Sequence, residues 1–313
     1  MKMRNSNRVS KDLHMHSIWS IDGEYECSAL IELAKKAGLH TVALCDHNCM
    51  QGIDEMYREG KKQGIAVLPA IEFDSLFHGY ETHIIGFQLQ YHAPVFEHLH
   101  ERINELEFAA FKSKAQRLEE LYHVDLQVDT LMERCRKENP FQVIYGTFLA
   151  HAQREHLQQL QDYYEGGKRA GNAVVNFYWD SCSYGKEAFV PVPYPQAEDV
   201  IQLIHEYNGI AVLAHPGVAF FKKDALLNEI CSMGLDGIEV FTTYHTMDQQ
   251  NYFKEYALQK HLLISGGSDF HGSYKPHIRI GEYGMRKEDE HLLGPLLEMY
   301  ALSDFLIMVF CHG

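Results

Sequence analysis

The sequence has no long apolar run and no paired cysteines. No stretch approaches the ~18 consecutive apolar residues of a membrane-spanning helix, and no apolar run follows the basic segment MKMRNSNRVSKD at the start. We therefore expect neither a signal peptide nor contact with a membrane. The cysteine count is 7, an odd number, and none stands in a Cys-x-x-Cys pair, so neither a disulfide framework nor a zinc ribbon is indicated. This cysteine usage favours a reducing compartment, and a cytoplasmic location is predicted.

Basic residues are also in the minority. The chain carries 28 Lys and Arg residues against 43 Asp and Glu residues, which gives a formal net charge of −15 with His neutral. Proteins that coat duplex nucleic acid place clustered Lys and Arg on the phosphates, whereas the basic pairs here are short and scattered. The charge balance therefore argues against duplex nucleic acid as a partner.

Short apolar runs alternate with helical patterns along much of the chain, which has 313 residues and is 46% hydrophobic. Near-continuous apolar runs are typical of parallel strands that are covered on both faces. The runs fall at residues 41–45, 65–71, 210–214, 237–241 and 262–265. Helical patterns such as 28–37 and 196–208 lie between them. Repeated units of this length predict either an α/β barrel or a doubly wound sheet.

The alternation breaks between about residues 92 and 190. Helical patterns take its place there, at residues 92–122, 126–138 and 147–162. Strand signals resume near residues 189–192. We therefore expect residues 1–91 and 190–313 to form an α/β scaffold, and residues 92–189 to form an inserted, mainly helical subdomain.

Ligand-type side chains recur at or just beyond the C-terminal ends of the predicted strands. They are His14 and His16, Asp46 and His47, Glu72, His83, His215, and Asp269 and His271. Barrel enzymes build their active sites at that end of the strands. Because alternate residues of a strand point the same way, His14 and His16 can grip one ion, and so can Asp269 and His271. Mixed imidazole and carboxylate ligation suits Zn, Mn or Fe better than Mg or Ca.

Around these positions the sequence resembles the PHP domain family, named for polymerase and histidinol phosphatase. The similar stretches are DLHMHSIWSIDG (12–23), ALCDHN (43–48), PAIEFD (69–74), THIIGF (82–87), LAHPG (213–217), DGIEVF (236–241) and GSDFHG (267–272). The stand-alone metal-dependent phosphoesterase branch is the most similar, because its members also carry a helical insert between the fourth and fifth strands. The resemblance implies a distorted (β/α)7 barrel with two to three divalent transition metal ions at its C-terminal face.

The resemblance also implies how these ions are held. One ion would take His14, His16, Glu72 and Asp269; a second would share Glu72 and take His83 and His215; a third would take Asp22, His47 and His271. Asp46 would orient His47 from outside the ligand set, a role that imidazole ligands usually need filled. A hydroxide bridging two ions would attack phosphorus, so no separate side-chain nucleophile is expected.

Substrate contacts are less marked in the sequence. In relatives with nucleotide phosphatase activity the insert carries an Arg-x-His motif, whereas the corresponding residues 144–150 place Gly and Phe at those positions. The candidate phosphate-binding replacements are Lys186, Lys275 and Arg279. His245, five residues beyond an apolar strand, is a further candidate for contacting the substrate.

Three functions follow as hypotheses. The leading one is metal-dependent hydrolysis of a phosphate monoester or diester of a small molecule, a nucleotide or a short oligonucleotide. The alternative enzyme is a histidinol-phosphate phosphatase, and the alternative of another class is a non-catalytic, metal-stabilised interaction module. The complete ligand set favours an enzyme. The apolar segment 306–310 would suit either an added strand or an interface.

Overall fold

Seven strands form one sheet in which the order along the chain is also the order in space. The computed structural model describes residues 8–217 and 219–299. The strands are β1 (Lys11–Met15), β2 (Thr41–Leu44), β3 (Ala66–Phe77), β4 (Tyr80–Phe87), β5 (Ile210–Leu213), β6 (Gly237–Thr242) and β7 (Leu263–Gly267). Strands β1 to β3 run parallel, β4 is antiparallel to both of its neighbours, and β5 to β7 run parallel again.

The sheet is nearly closed into a barrel, because its first and last strands meet. The backbone N–H of His16 donates to the carbonyl of Phe270 over 3.0 Å, and Met15 bridges the same residue just after β7. The predicted distorted α/β barrel is therefore confirmed, and the doubly wound sheet is excluded.

Helices connect most of the strands. They are α1 (Cys27–Ala37), α2 (Ile53–Gln63), α3 (Pro94–Tyr122), α4 (Val128–Cys135), α5 (Pro140–Arg154), α6 (Ala173–Phe177), α7 (Ala197–Glu206), α8 (Asp224–Ser232) and α9 (Met247–Lys260). Shorter helical turns lie at Gln158–Tyr163, Ala170–Asn172, Tyr178–Cys182, Gly272–Tyr274 and Lys287–Leu293. In the described part of the chain, no helix combines the length and the apolar composition that a membrane span requires.

Local sequence explains where the helices begin and end. The helix α1 ends at Gly38, whose φ of 85° lies in the left-handed region that glycine adopts at little cost. The helix α5 begins at Pro140 rather than at residue 147, where the apolar period had placed it. Asn139 caps this helix by accepting a hydrogen bond from the backbone N–H of Gln142, and proline is favoured at the first helical position.

The strand predicted near residues 189–192 is wrong, because this segment is irregular and the next strand begins at Ile210. Pro191 and Pro193 lack the N–H that a sheet ladder needs. The apolar segment 306–310 lies outside the described residues.

The described residues form two compact units, 8–99 together with 195–217 and 219–299, and 100–194. The second unit has an aromatic core of its own, in which Phe148 lies 4.9 Å from both Tyr122 and Phe177 between ring centres. The sequence-based boundaries at residues 92 and 189 stay a prediction. In the first unit, β5 and β6 are buried along their whole length, as expected for strands covered on both faces.

Candidate metal centre

Four predicted ligands from three separate parts of the barrel converge on one point. His14 Nε2 and His16 Nε2 each lie 3.2 Å from Glu72 Oε2. The same two nitrogens lie 3.3 and 3.0 Å from Asp269 Oδ1. All four side chains are buried. Two imidazole nitrogens and two carboxylate oxygens therefore face one another in a group that could hold a single ion.

Glu72 also joins this group to a second set of histidines. Its Oε1 lies 3.1 Å from His83 Nδ1 and 2.9 Å from His215 Nε2, while its Oε2 lies 3.6 Å from His47 Nε2. The three histidines come from the ends of β2 and β5 and from within β4. One carboxylate thus presents an oxygen to each of two neighbouring donor sets.

The remaining predicted ligands lie beside the first group. His271 Nε2 is 3.3 Å from Asp22 Oδ2, and the ring of His271 stacks on that of His16 with 3.9 Å between centres. His16, His47 and His271 form a further group whose nitrogens are close enough to share an ion. The structure therefore brings all nine predicted ligands together at the C-terminal end of the barrel.

Several of these atoms are buried without any hydrogen-bond partner. They are the carboxylate oxygens Glu72 Oε2, Asp269 Oδ1 and Asp22 Oδ1. Most buried polar atoms in proteins are hydrogen-bonded, so a cluster of unpaired ones needs a cause. Grouped carboxylate oxygens and imidazole nitrogens are the donors that Mn, Fe and Zn accept, so these residues fit such ions.

Charges at the centre are strongly coupled. Burial raises the pKa of Glu72, but the facing imidazoles of His14, His83 and His47 outweigh it and hold the pKa well below its usual range. Burial likewise opposes ionisation of Asp269, and Lys275 is the largest of the opposing charges that keep the pKa of Asp269 low. Both carboxylates are therefore ionised at neutral pH.

The histidines do not all respond alike. Burial lowers the pKa of His16 to about 4, helped by the charge of His271. For His47, the carboxylates of Asp74 and Glu72 outweigh burial and raise the pKa to about 10. His16 is thus a neutral imidazole, ready to act as a ligand, whereas His47 must release a proton before it can bind an ion.

Two candidate ligands occupy strained backbone positions. His215 has a φ of 23° and Asp269 a φ of 57°, both in the left-handed region that side chains other than glycine rarely adopt. Such positions cost on the order of 1–3 kcal/mol each and cluster at functional sites. For Asp269, the backbone N–H donates to the carbonyl of His14 over 2.8 Å, which fixes the strained residue against β1.

Glu239 is a supporting residue that sequence reasoning missed. Its Oε1 accepts a hydrogen bond from His14 Nδ1 over 2.9 Å, and its Oε2 accepts one from the backbone N–H of His215 over 2.8 Å. A proton on Nδ1 leaves His14 Nε2 free to face the ion position. The available signal in the sequence was a glutamate within the otherwise apolar run Gly237–Phe241, and the structure shows that its side chain is buried.

Asp74, and not Asp46, is the carboxylate beside the His47 ring. Asp74 Oδ1 lies 3.0 Å from His47 Nδ1 and 3.4 Å from His83 Nε2. Asp46 instead accepts hydrogen bonds from Ser17 and Ser20. The predicted role of Asp46 is corrected accordingly: it organises the loop after β1, and its hydrogen-bonded link to His47 runs through Ser20 Oγ, which accepts the His47 backbone N–H.

Of the predicted substrate contacts, Lys275 is at the centre. Its Nζ lies 2.7 Å from Asp269 Oδ2, and Tyr244 OH donates to that same oxygen over 2.5 Å. These two contacts leave the other oxygen of Asp269, Oδ1, facing His14 and His16. Lys275 therefore holds a ligand in place as well as adding a positive charge.

His245 has a different role from the predicted substrate contact. Its Nδ1 donates to the carbonyl of Val240 over 2.8 Å, and its Nε2 accepts the backbone N–H of Gly217 over 2.9 Å. Burial lowers its pKa to about 4, so the ring is neutral. With both nitrogens engaged by the backbone, His245 ties the loop after β6 to the loop that carries His215.

Arg279 and Lys186 make none of the contacts described for the centre. Arg279 lines a cavity of about 440 Å³ together with Arg8, Tyr25 and Phe270, and none of the nine predicted ligands lines this cavity. Lys186 is exposed in a turn of the second compact unit, where its backbone N–H donates to Ser183. A phosphate-binding role for either residue stays a prediction.

Comparison with known proteins agrees with this architecture. The chain is 28% identical over 273 residues to a phosphoribosyl 1,2-cyclic phosphate 1,2-diphosphodiesterase of Eggerthella lenta, with 86% of this chain and 97% of that protein covered. It is 26% identical over 263 residues to a 5'-3' exoribonuclease of Haemophilus influenzae, with 83% and 89% covered. The solved structure of a metal-dependent phosphoesterase from Bifidobacterium adolescentis is similar in fold, with a TM-score of 0.68 at 24% identity over 90% of this chain and 93% of that one.

A family model also matches this chain. The family model described as PHP domain matches residues 12–230, which is more than half of the chain and includes seven of the nine predicted ligands. The barrel and the cluster of His, Asp and Glu residues at its C-terminal end agree with that match. The chain belongs to the PHP domain family.

Proposed function

We propose that this protein hydrolyses phosphate esters of nucleotides or short oligonucleotides with the help of two to three divalent transition metal ions. The observation that carries the proposal is the Glu72 carboxylate, which faces imidazole donors on both sides and has an oxygen with no hydrogen-bond partner. Family membership and similarity to enzymes named for phosphodiester cleavage support the reaction class.

Three overlapping donor sets would hold the ions. The first is His14, His16, Glu72 and Asp269. The second shares Glu72 and adds His83 and His215. The third is Asp22, His47 and His271; its His47 and His271 also form a group with His16 of the first set. Mn, Fe and Zn suit this mixture of imidazole and carboxylate. When bound, such ions supply Lewis acidity, which activates water and binds phosphate oxygens.

Residues of the chain orient the ligands and adjust the charge at the centre. Glu239 holds the proton on Nδ1 of His14, so that Nε2 points into the centre. Lys275 adds a cation that offsets carboxylate charge where an anionic phosphate would bind. Cys45, the thiol just before Asp46, is buried, and burial raises its pKa well above the ordinary value. This thiol is therefore a poor nucleophile, which supports direct attack by water.

The test is a screen for phosphate release combined with two ligand variants. Purified protein should release phosphate from an aryl phosphate and from nucleotides, and histidinol phosphate belongs in the same panel. His14→Ala and Asp269→Asn should each lose activity by at least about 100-fold, because each removes a donor from the centre.

The matched control is His92→Ala, since His92 is a surface histidine whose side chain is 72% exposed. Its activity should stay within about twofold of the wild type. Unchanged turnover in both ligand variants would overturn the proposal, and a clear preference for histidinol phosphate would replace the nucleotide substrate.

A further inference from the structure

We propose that Trp19 stacks on the base of a bound nucleotide, so that the site selects nucleoside phosphates over phosphate esters without a base. This inference deepens the proposed function and rests on it. Trp19 lies in the loop between two candidate ligands, His16 and Asp22. It is one of only 2 tryptophans in the chain.

The loop that carries Trp19 is fixed to the metal centre. Asp46 accepts hydrogen bonds from the backbone N–H of Ser17 over 2.6 Å, from its hydroxyl over 2.7 Å and from the Ser20 hydroxyl over 3.0 Å. Ser20 Oγ also lies 3.0 Å from His16 Nδ1 and accepts the backbone N–H of His47 over 2.9 Å. The two serines thus tie the loop to two candidate ligands and to Asp46.

Burial changes sharply within this loop. Ser17 and Ser20 are buried, and the hydrogen bond from the backbone N–H of Ser20 to the carbonyl of Ser17 closes a tight turn between them. The two residues of the turn, Ile18 and Trp19, are 42% and 40% exposed. The anchors therefore face inward, and the turn presents a partly exposed apolar surface.

The indole packs at the same end of the barrel as the candidate ligands. A β-carbon added at Gly52 would lie 2.7 Å from Cδ1 of Trp19 and 2.9 Å from Cδ2 of Leu44. Leu44 is the last residue of β2, just before Asp46 and His47, and Gly52 caps the start of α2. The ring is thus braced against this edge of the barrel while part of it stays open to solvent.

A braced, half-exposed indole suits base stacking. Every nucleobase offers a flat π-face, and stacking on an aromatic side chain is worth about 5- to 150-fold in binding per base. Because the turn and the contact at Gly52 already hold the ring, little side-chain freedom is lost when a base binds. A freely rotating, exposed tryptophan would lose more side-chain freedom on binding and would therefore give a smaller gain in affinity.

Binding can be measured directly through Trp19 fluorescence. In the Trp179→Phe variant Trp19 is the only tryptophan, and Trp179 lies in the second compact unit, is 52% exposed and has no assigned role in the site. We expect adenosine 5'-monophosphate to quench the emission of this variant saturably, and ribose 5-phosphate to leave it nearly unchanged. Equal quenching by both compounds, or by neither, would overturn the inference.

Kinetics provide the second test. We expect Trp19→Ala to raise KM for an adenine dinucleotide by about 5- to 150-fold with little change in kcat, and to raise KM for ribose 5-phosphate much less. Trp19→Phe should recover most of the selectivity, and the metal content of each variant reports whether the centre stays intact. Equal effects on both substrates would contradict base stacking, whereas wild-type protein inactive on every phosphate ester would contradict the proposed function itself.

Discussion

At the residue scale, Glu72 and Glu239 have different roles: Glu72 faces the ion positions, and Glu239 orients a ligand. Glu72 faces the imidazoles directly, with Oε1 near His83 and His215 and Oε2 near His14 and His16. Glu239 instead accepts hydrogen bonds from the ring of His14 and from the backbone N–H of His215. Ligand orientation and ligand supply are therefore carried by different carboxylates, which makes them separable by mutation.

We predict that Glu239→Gln weakens metal binding without destroying the site. A glutamine accepts a weaker hydrogen bond from His14 Nδ1 and removes the negative charge, and loss of such an outer partner typically lowers metal affinity about 10- to 100-fold. Titration of metal-free protein with Mn²⁺ measures the affinity, and activity should return at high Mn²⁺ concentration.

The control for this prediction is Glu229→Gln, because Glu229 pairs with His78 on the exposed surface. Its Mn²⁺ affinity should equal that of the wild type. Equal affinities for both variants would show that Glu239 does not orient His14.

At the scale of elements, strand register decides which residues become partners. The antiparallel ladder between β3 and β4 places Asp74 directly opposite His83, and the bridge between His47 and Glu72 brings the end of β2 beside β3. Asp74 therefore reaches the rings of both His47 and His83, whereas Asp46, adjacent to His47 in sequence, bonds to the loop after β1. Adjacency in sequence suggested Asp46 as the partner of the His47 ring. The strand register shows that the partner is Asp74.

His245 provides a test of the contacts between elements, because it joins the loop after β6 to the loop that carries His215. We predict that His245→Ala lowers the free energy of unfolding by about 2 kcal/mol, because the backbone N–H of Gly217 loses its buried partner. Urea unfolding measures the change, and His245→Gln should recover part of it.

His98→Ala, at an exposed position, should leave the unfolding free energy unchanged. A His245→Ala protein of normal stability with a raised KM would instead support the substrate contact that the sequence suggested.

At the scale of the whole molecule, much of the architecture could be predicted from the sequence. The apolar runs alone left an α/β barrel and a doubly wound sheet open. The stretches around His14, His47 and Asp269 indicated the PHP family and with it the barrel, and the family match and the sheet confirm both. The partner of His47 could not be predicted, because it depends on a contact between segments distant in the chain. The strand near residues 189–192 was predicted wrongly although Pro191 and Pro193 stand in that segment. Glu239 was visible as a charge in a buried strand, but its two contacts required the closed barrel.

Part of the net charge of −15 is concentrated at the candidate metal centre. Glu72, Asp269, Asp22, Glu239 and Asp74 are all at or beside the centre, and such a concentration of carboxylates would repel an anionic substrate. Divalent ions would reverse the local charge. The proposed activity on phosphate esters therefore depends on metal occupancy more than on any basic side chain.

Elemental analysis of wild-type protein and of Glu72→Gln tests the central claim most directly. Glutamine keeps the size of the side chain but loses the charge that faces both donor sets, so a shared carboxylate should affect more than one ion. We predict two to three transition metal ions per chain in the wild type and a loss of at least two ions in the variant. Equal metal content in the two proteins, or a wild type without transition metal after purification in its presence, would contradict the account.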